Sequence, residues 1–304
     1  MTYTSPAPMT LPPPAAADLS AADSVRRATA SSQPPRVARF GAVTYLNSKP
    51  LIEGLADDLQ PASLTLDYPS HLAADLAAGR LDVALVPSFS ALAGLCDGSA
   101  SLLSNACVAA RGPVRSVQLL CRKAPGEIRT LALDDGSRTS AALARILLMQ
   151  QYGVVPETQP FPLATSTRAC DTDAVLMIGD RAMHPPADDD SFTHRIDLGE
   201  AWKRWTGLPF VFAVWAARSG SDAPDSGVPA RWATLLETAR DRGVAALDTI
   251  AEREAAGVHV SESEAAAYLR HNLHFTLGPA ERQGLLLFAE LAHECGLLGC
   301  VPEV

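Results

Sequence analysis

From residue 36 onward, short apolar runs of strand length alternate with stretches whose apolar residues recur every three or four positions. That alternation is the pattern of βαβ units feeding parallel sheets. The runs "RVARFGAV" (36–43), "LTLDY" (64–68) and "LDVALVP" (81–87) predict three strands. Between the last two, Leu72, Ala73, Leu76 and Ala77 fall on one helical face and Gly79 supplies the stop. A second group repeats the grammar: "SVQLLCR" (116–122), "TLALD" (130–134), a helix over 139–152 stopped by Gly153, then "DAVLMIG" (173–179). Residues 194–218 predict a strand, a short helix and a strongly apolar strand through 209–217. Three helices follow, over 230–256, 262–275 and 279–295. Ser261 and Glu264 have capping-box spacing, and Pro279 after Gly278 suits a first helical position.

Two α/β groups and a terminal helical pack predict an α/β fold of two lobes around a cleft. The first lobe takes 36–118 and 209–304, the second 119–208, with crossings near 116–122 and 208–215. The first 35 residues, rich in Pro, Ala and Ser, contain no apolar core of a signal peptide and predict a disordered tail on a cytoplasmic protein.

Composition narrows the partners. Across 304 residues, 47% hydrophobic and 19% charged is the balance of a soluble globular protein. A net charge of -9 argues against nucleic acid or an anionic membrane surface, since no positive field gathers phosphates. No run approaches the ~20 apolar residues of a membrane helix. An anionic small substrate would need local donors: helix N-termini, hydroxyls or one Arg. The six cysteines (Cys96, Cys107, Cys121, Cys170, Cys295, Cys300) form no CxxC pair, predicting reduced, mostly buried thiols. His271 and His274 lie three apart with no third ligand in view, so neither a metal nor an organic cofactor is called for. Oligomeric state leaves no mark on the sequence.

Loops at the carboxyl ends of strands are where α/β sheets bind ligands. Here they read "TYLNS" (44–48), "VPSFS" (86–90), "DGSRTS" (135–140) and "IGDRA" (178–182), with Ser116 at a crossing. Most of their side chains are neutral donors. In "VTYLNSKPL" an ordinary polar turn with Pro50 starting a helix competes with a ligand loop. In "LALDDGSRTSAALARILL" a carboxylate would meet free N–H groups, the positive helix end and the hydroxyls of Ser137, Thr139 and Ser140, one of which is needed as N-cap. Ser88 and Ser90 are either ligand groups or part of a proline turn; Asp180 either serves a site or caps a helix from Arg181. Trp202 and Trp205 read as packing at the second crossing. No nucleophile elbow, P-loop or GxGxxG turn occurs.

"VTYLNSKPL", "LAAGRLDVALVPS", "GPVRSVQL", "LDDGSRTSAALARILL", "LMIGDRAM" and "DLGEAWKRWTGLPFVFAVW", in that order, resemble the chorismate dehydratase family, which serves the futalosine route to menaquinone. The resemblance runs from about residue 36 to the C-terminus and leaves only the tail outside. It implies a two-lobed fold like the type II periplasmic binding proteins and the dehydration of chorismate to 3-[(1-carboxyvinyl)oxy]benzoate. Matched by position, the family's active-site Asn is Asn47, its active-site Ser is Ser116, and its substrate-carboxylate site is the "SRTS" hydroxyls. Tyr45, Ser88, Arg138 and Asp180 complete the expected substrate-binding set. Lys49, Arg111, Arg115 and Arg138 are open choices for a second carboxylate, with Arg138 the best placed locally. No His or Glu in these loops is an evident base, which suggests that one of chorismate's own carboxylates takes the proton; Asp180 is the competing acid-base group.

Three rivals share the fold or its logic. A solute-binding protein would ordinarily carry a signal peptide. The related dihydroxynaphthoate synthase relies on a cleft histidine, and His71, His184 and His194 lie outside its motif context. A ligand-responsive regulator would bring a helix-turn-helix or a basic segment, and neither is present.

Overall fold

The computed structural model describes residues 1, 37–162, 165–184, 191–219 and 228–304. The expected tail therefore lies, apart from Met1, outside the described residues. In chain order the strands are β1 Arg39–Val43, β2 Ser63–Asp67, β3 Val83–Pro87, β4 Ala100–Ala110, β5 Val117–Cys121, β6 Thr130–Asp134, β7 Glu157–Phe161, β8 Ala174–Ile178, β9 His194–Asp197, β10 Phe210–Arg218 and β11 His274–Thr276. The longer helices are α1 Pro69–Ala77, α2 Ser88–Asp97, α3 Arg138–Tyr152, α4 Leu198–Thr206, α5 Val228–Ala245, α6 Leu247–Glu254, α7 Glu262–Ala267 and α8 Pro279–Glu294.

The strands form two sheets. One has the order β11-β4-β10-β3-β1-β2, the other β7-β6-β8-β5-β9. β1 pairs in parallel with β2 and β3, and β6 with β7 and β8, as the βαβ pattern requires. β10 runs antiparallel between β3 and β4. The chain leaves the first sheet after β4, builds the second through β9 and returns with β10.

Burial explains the placement. β3, β5 and β8 are buried at every residue, and their continuous apolar runs suit strands covered on both faces. β7 is exposed along most of its length and contains Pro160, which an edge position tolerates. A single large core spans elements of both sheets, and a smaller one around Leu120, Phe161 and Val175 lies in the second. Trp202 is fully buried among Phe210 and Phe288, with its indole N–H donating to the Pro209 carbonyl at 3.1 Å. That is the packing role expected for it.

Several expectations change. The helix over 230–256 is two, broken at Ala246 between α5 and α6. The helix over 262–275 is α7 with its capping box, then a π-helical turn over Tyr268–Asn272, then β11. His271 and His274 thus lie on different elements. Pro50 does not start a helix but sits inside a 3-10 helix, Leu46–Ile52. The thiols are not all reduced: Cys96 at the end of α2 is disulfide-bonded to Cys300, their Cα atoms 5.7 Å apart, because the segment after α8 folds back against α2. Cys107, Cys121 and Cys170 are buried and free as expected. Among the described residues no helix is long and apolar enough to cross a membrane.

Candidate functional site

A cavity opens where the strand ends of both sheets meet. Its space, open mouth included, is about 500 Å³. Val43, Val108, Val117, Ile178 and Phe212 supply apolar walls, and Tyr45, Asn47, Ser116, Ser137 and Ser140 bring polar atoms. Five of the nine expected site residues are therefore together.

The loop after β1 sorts its side chains by alternation. Leu46, Ser48 and Pro50 are buried, while Tyr45, Asn47 and Lys49 are half-buried on the other side. Ser48 binds backbone: its hydroxyl donates to the carbonyls of Val43 and Tyr45. Lys49 forms an ion pair with Glu254 of α6 at 3.2 Å. Tyr45 lies across Gly179, where a Cβ would stand 2.8 Å from the ring and where φ is +71°. Both facts demand glycine there. The Tyr45 hydroxyl is buried with no hydrogen-bond partner among the described residues. Burial, with Asp134 and Asp180 nearby, pushes its pKa up, so the phenol stays protonated.

Ser116 stands at the start of β5, just after a γ-turn in which its N–H donates to the Val114 carbonyl at 2.7 Å and Arg115 takes φ +62°. Non-glycine residues pay steric strain in that region, so something must hold it. Asp197 does: its carboxylate accepts from the N–H groups of Val114 and Arg115 and from the Gln118 amide. The Ser116 hydroxyl receives a hydrogen bond of 2.8 Å from the buried Tyr268 hydroxyl. Sequence reasoning did not single out Tyr268.

At α3, Ser137 is the N-cap, its Oγ accepting from the Ser140 N–H at 3.3 Å. Thr139, expected in the carboxylate site, is fully buried and does not line the cavity. Its Oγ1 accepts the Phe89 N–H at 3.0 Å and meets Ser88 at 3.4 Å. Ser88 is likewise turned away, donating to the Val211 carbonyl at 2.7 Å. Together they fasten α2 to α3. Arg138, one step along the helix, lines a different cavity beside α1 and α2. Arg111 is engaged with buried Glu281 at 2.8 Å. Arg115 adjoins Ser116 and is electrostatically coupled to Tyr268.

Asp180 does not cap its own helical turn. Its carboxylate crosses to accept the Leu46 N–H at 3.2 Å, holding the start of the 3-10 helix. Burial, opposed by that hydrogen bond and by Lys49, pushes it up to about 6. Behind the site, Asp134 accepts from Gly136, Ile178 and Arg181 and ties the ends of β6 and β8 together. Among the described residues, no group of three His, Cys, Asp or Glu could hold a metal ion.

Similarity to known proteins bears on the family and the fold. Residues 38–294 match a family model described as menaquinone biosynthesis. The chain is 32% identical over 265 residues to a chorismate dehydratase of Thermus thermophilus, covering 83% of this chain and 93% of that one. Among solved structures it resembles a structural-genomics protein from Archaeoglobus fulgidus, with TM-score 0.67, 14% identity and coverage of 86% and 98%. A Candida albicans protein with the generic periplasmic binding protein fold gives TM-score 0.61 at 14% identity, covering 87% and 92%. The periplasmic aliphatic sulphonate binding protein of Escherichia coli gives 0.55 at 13%, covering 89% and 91%. At those identities the likeness establishes the fold alone, which is that of the periplasmic binding proteins.

Proposed function

Since this chain belongs to the chorismate dehydratase family of menaquinone biosynthesis, we propose that it acts as a hydro-lyase on chorismate in the cavity between its two sheets. The product is 3-[(1-carboxyvinyl)oxy]benzoate, an intermediate of the futalosine route. The observation that carries the site assignment is that Asn47 and Ser116, brought by different sheets, line one cavity with the serines of a helix N-terminus. We take the sheets as centres of two lobes, 36–118 with 209–304 and 119–208, that close on the substrate.

Dehydration breaks a ring C–H bond and the neighbouring C–OH bond. Proton and hydroxide leave as water, and the ring becomes aromatic. Aromaticity supplies much of the driving force, so the protein's task is orientation and stabilisation of developing charge. One carboxylate sits at the first turn of α3, where free N–H groups and the helix dipole favour it. The Ser137 Oγ already accepts from the Ser140 N–H and from the Ser140 hydroxyl, each at 3.3 Å, so its own proton is available to the substrate. Tyr45 donates its unpartnered hydroxyl. Asn47 and Ser116 face the reacting edge. Of the four cations considered for the second carboxylate, Arg115 is the one we assign, since Lys49 and Arg111 are paired with acids and Arg138 lines another cavity.

Among the described residues lining this cavity none is Asp, Glu, His or Lys. That favours a substrate carboxylate as proton acceptor, with the protein fixing its approach. Asp180 is the alternative, because its pKa of about 6 suits an acid-base group.

The test is to incubate the purified protein with chorismate, without added metal or cofactor, and follow the ring protons by NMR. A meta-substituted enolpyruvyl benzoate forming faster than in a protein-free control is the expected result. Chorismate bound but unchanged would leave a small-carboxylate binding protein.

A further inference from the structure

We propose that Tyr268 is a positioning residue that aims the Ser116 hydroxyl into the cavity. The inference rests on the dehydratase reading above and goes beyond it, because Tyr268 does not itself line the cavity.

The geometry is specific. Tyr268 is fully buried and starts the π-helical turn that follows α7. Such turns are rare and recur at functional sites. Its hydroxyl donates to Ser116 Oγ at 2.8 Å across 152 residues of chain. The Asn47 side chain lies close enough to the same phenol to favour its ionisation. One hydroxyl from the terminal helices thus holds a residue at the start of β5 and adjoins one from the loop after β1.

A serine hydroxyl has one proton and two lone pairs. With Tyr268 donating into Oγ, the Ser116 proton has to go elsewhere. The backbone at Ser116 is engaged otherwise: its N–H goes to Val114 and its carbonyl accepts from Gly179. The cavity, which Ser116 lines, is where that proton finds an acceptor. Donation into Oγ also polarises the outward O–H and strengthens it as a donor. Burial pushes the Tyr268 phenol well above its ordinary range, so it remains a donor at any working pH.

Tyr268→Phe keeps the ring and removes only the hydroxyl. We expect kcat for chorismate to fall about tenfold, the size of one ordinary hydrogen bond, with KM within about twofold of wild type. In a Ser116→Ala background the same change should alter kcat by less than about twofold, because the hydroxyl it aims is gone. If Ser116→Ala turnover is too slow to follow at steady state, the same cycle is read on single-turnover product formation with enzyme in excess over chorismate. A merely structural tyrosine would cost as much in both backgrounds, and that additivity would overturn the inference, as would Tyr268→Phe turnover at the wild-type rate. An inactive wild type would instead remove the dehydratase reading, and this inference with it; an active wild type with an unimpaired variant removes this inference alone.

Discussion

The loop after β1 and the start of α3 both end a strand and both offer amides and hydroxyls to the cavity, yet they are fixed by different means. The start of α3 is fixed largely by itself: Ser137 caps Ser140, the helix continues to Gly153, and Thr139 adds one tie to Phe89. The 3-10 helix Leu46–Ile52 is fixed from outside. Asp180 holds its first N–H, Glu254 holds Lys49, Arg253 holds Glu53 at 2.8 Å, and α5 presses against Pro50. A regular helix N-terminus is stable alone, whereas a 3-10 helix containing proline needs partners. The substrate-holding groups proposed at α3 should therefore respond to local changes, and Asn47 to distant ones.

The largest effect that would test this contrast comes from Gly243 in α5. A Cβ there would stand 1.9 Å from the Pro50 carbonyl oxygen, so the helix or the turn must shift. Overpacking of this kind costs about 1–3 kcal/mol or more. Gly243→Ala should lower the melting temperature by roughly 3–10 °C and cut kcat at least about tenfold through Asn47, while KM, governed by α3, stays within about threefold. A variant with normal kcat would show that the turn does not depend on α5.

A smaller effect is expected at α3, and there it should divide cleanly. Ser140→Ala removes a hydroxyl at the cavity wall that bonds the Ser137 Oγ but leaves the backbone N–H cap, so KM should rise about tenfold with little change in melting temperature. Ser137→Ala should raise KM similarly and also cost about 1 kcal/mol of stability as a lost N-cap. Steady-state kinetics with chorismate and denaturant unfolding of both variants check this. Equal stability losses would mean that the cap is not Ser137.

This contrast also decides what could be read from the chain. The start of α3, its cap at Ser137 and its stop at Gly153 follow from residues a few positions apart. So do β3, β5 and β8, whose apolar runs need no knowledge of neighbours. β4 did not announce itself: "ASLLSNACVAA" mixes Ser, Asn and Ala without alternation and is a strand because β10 and β11 flank it. Apolar spacing at 268–275 imitates a helix, but pairing of His274 and Thr276 with β4 overrides it. At the candidate site, Asn47 and Ser116 were named through family pattern, and both line the cavity. Ser88 and Thr139 looked like ligand groups because a hydroxyl that ties two helices and one that faces a cavity are the same letter. Tyr268 and the Cys96–Cys300 pair depend on contacts across 152 and 204 residues, beyond any local signal.

The smallest activity change is expected at Asp180, although its carboxylate bonds the turn that carries Asn47. Its pKa of about 6 lies above the ordinary 3.8, chiefly through burial, so the folded protein binds this proton more readily than the unfolded chain. By linkage, the stability this group contributes is full below about 3.8 and is lost as pH rises through about 6. Asp180→Asn cannot titrate, but its amide oxygen can still accept the Leu46 N–H. The variant should lose that part of the pH dependence and unfold at pH 7.5 no more easily than wild type. If Asp180 only holds the turn, kcat should stay within about threefold of wild type, since the hydrogen bond survives. Urea unfolding between pH 4 and 8, with turnover at pH 7.5, measures both. A loss of about a hundredfold in kcat with chorismate still bound would make Asp180 the acid-base group and displace the substrate's own carboxylate from that role.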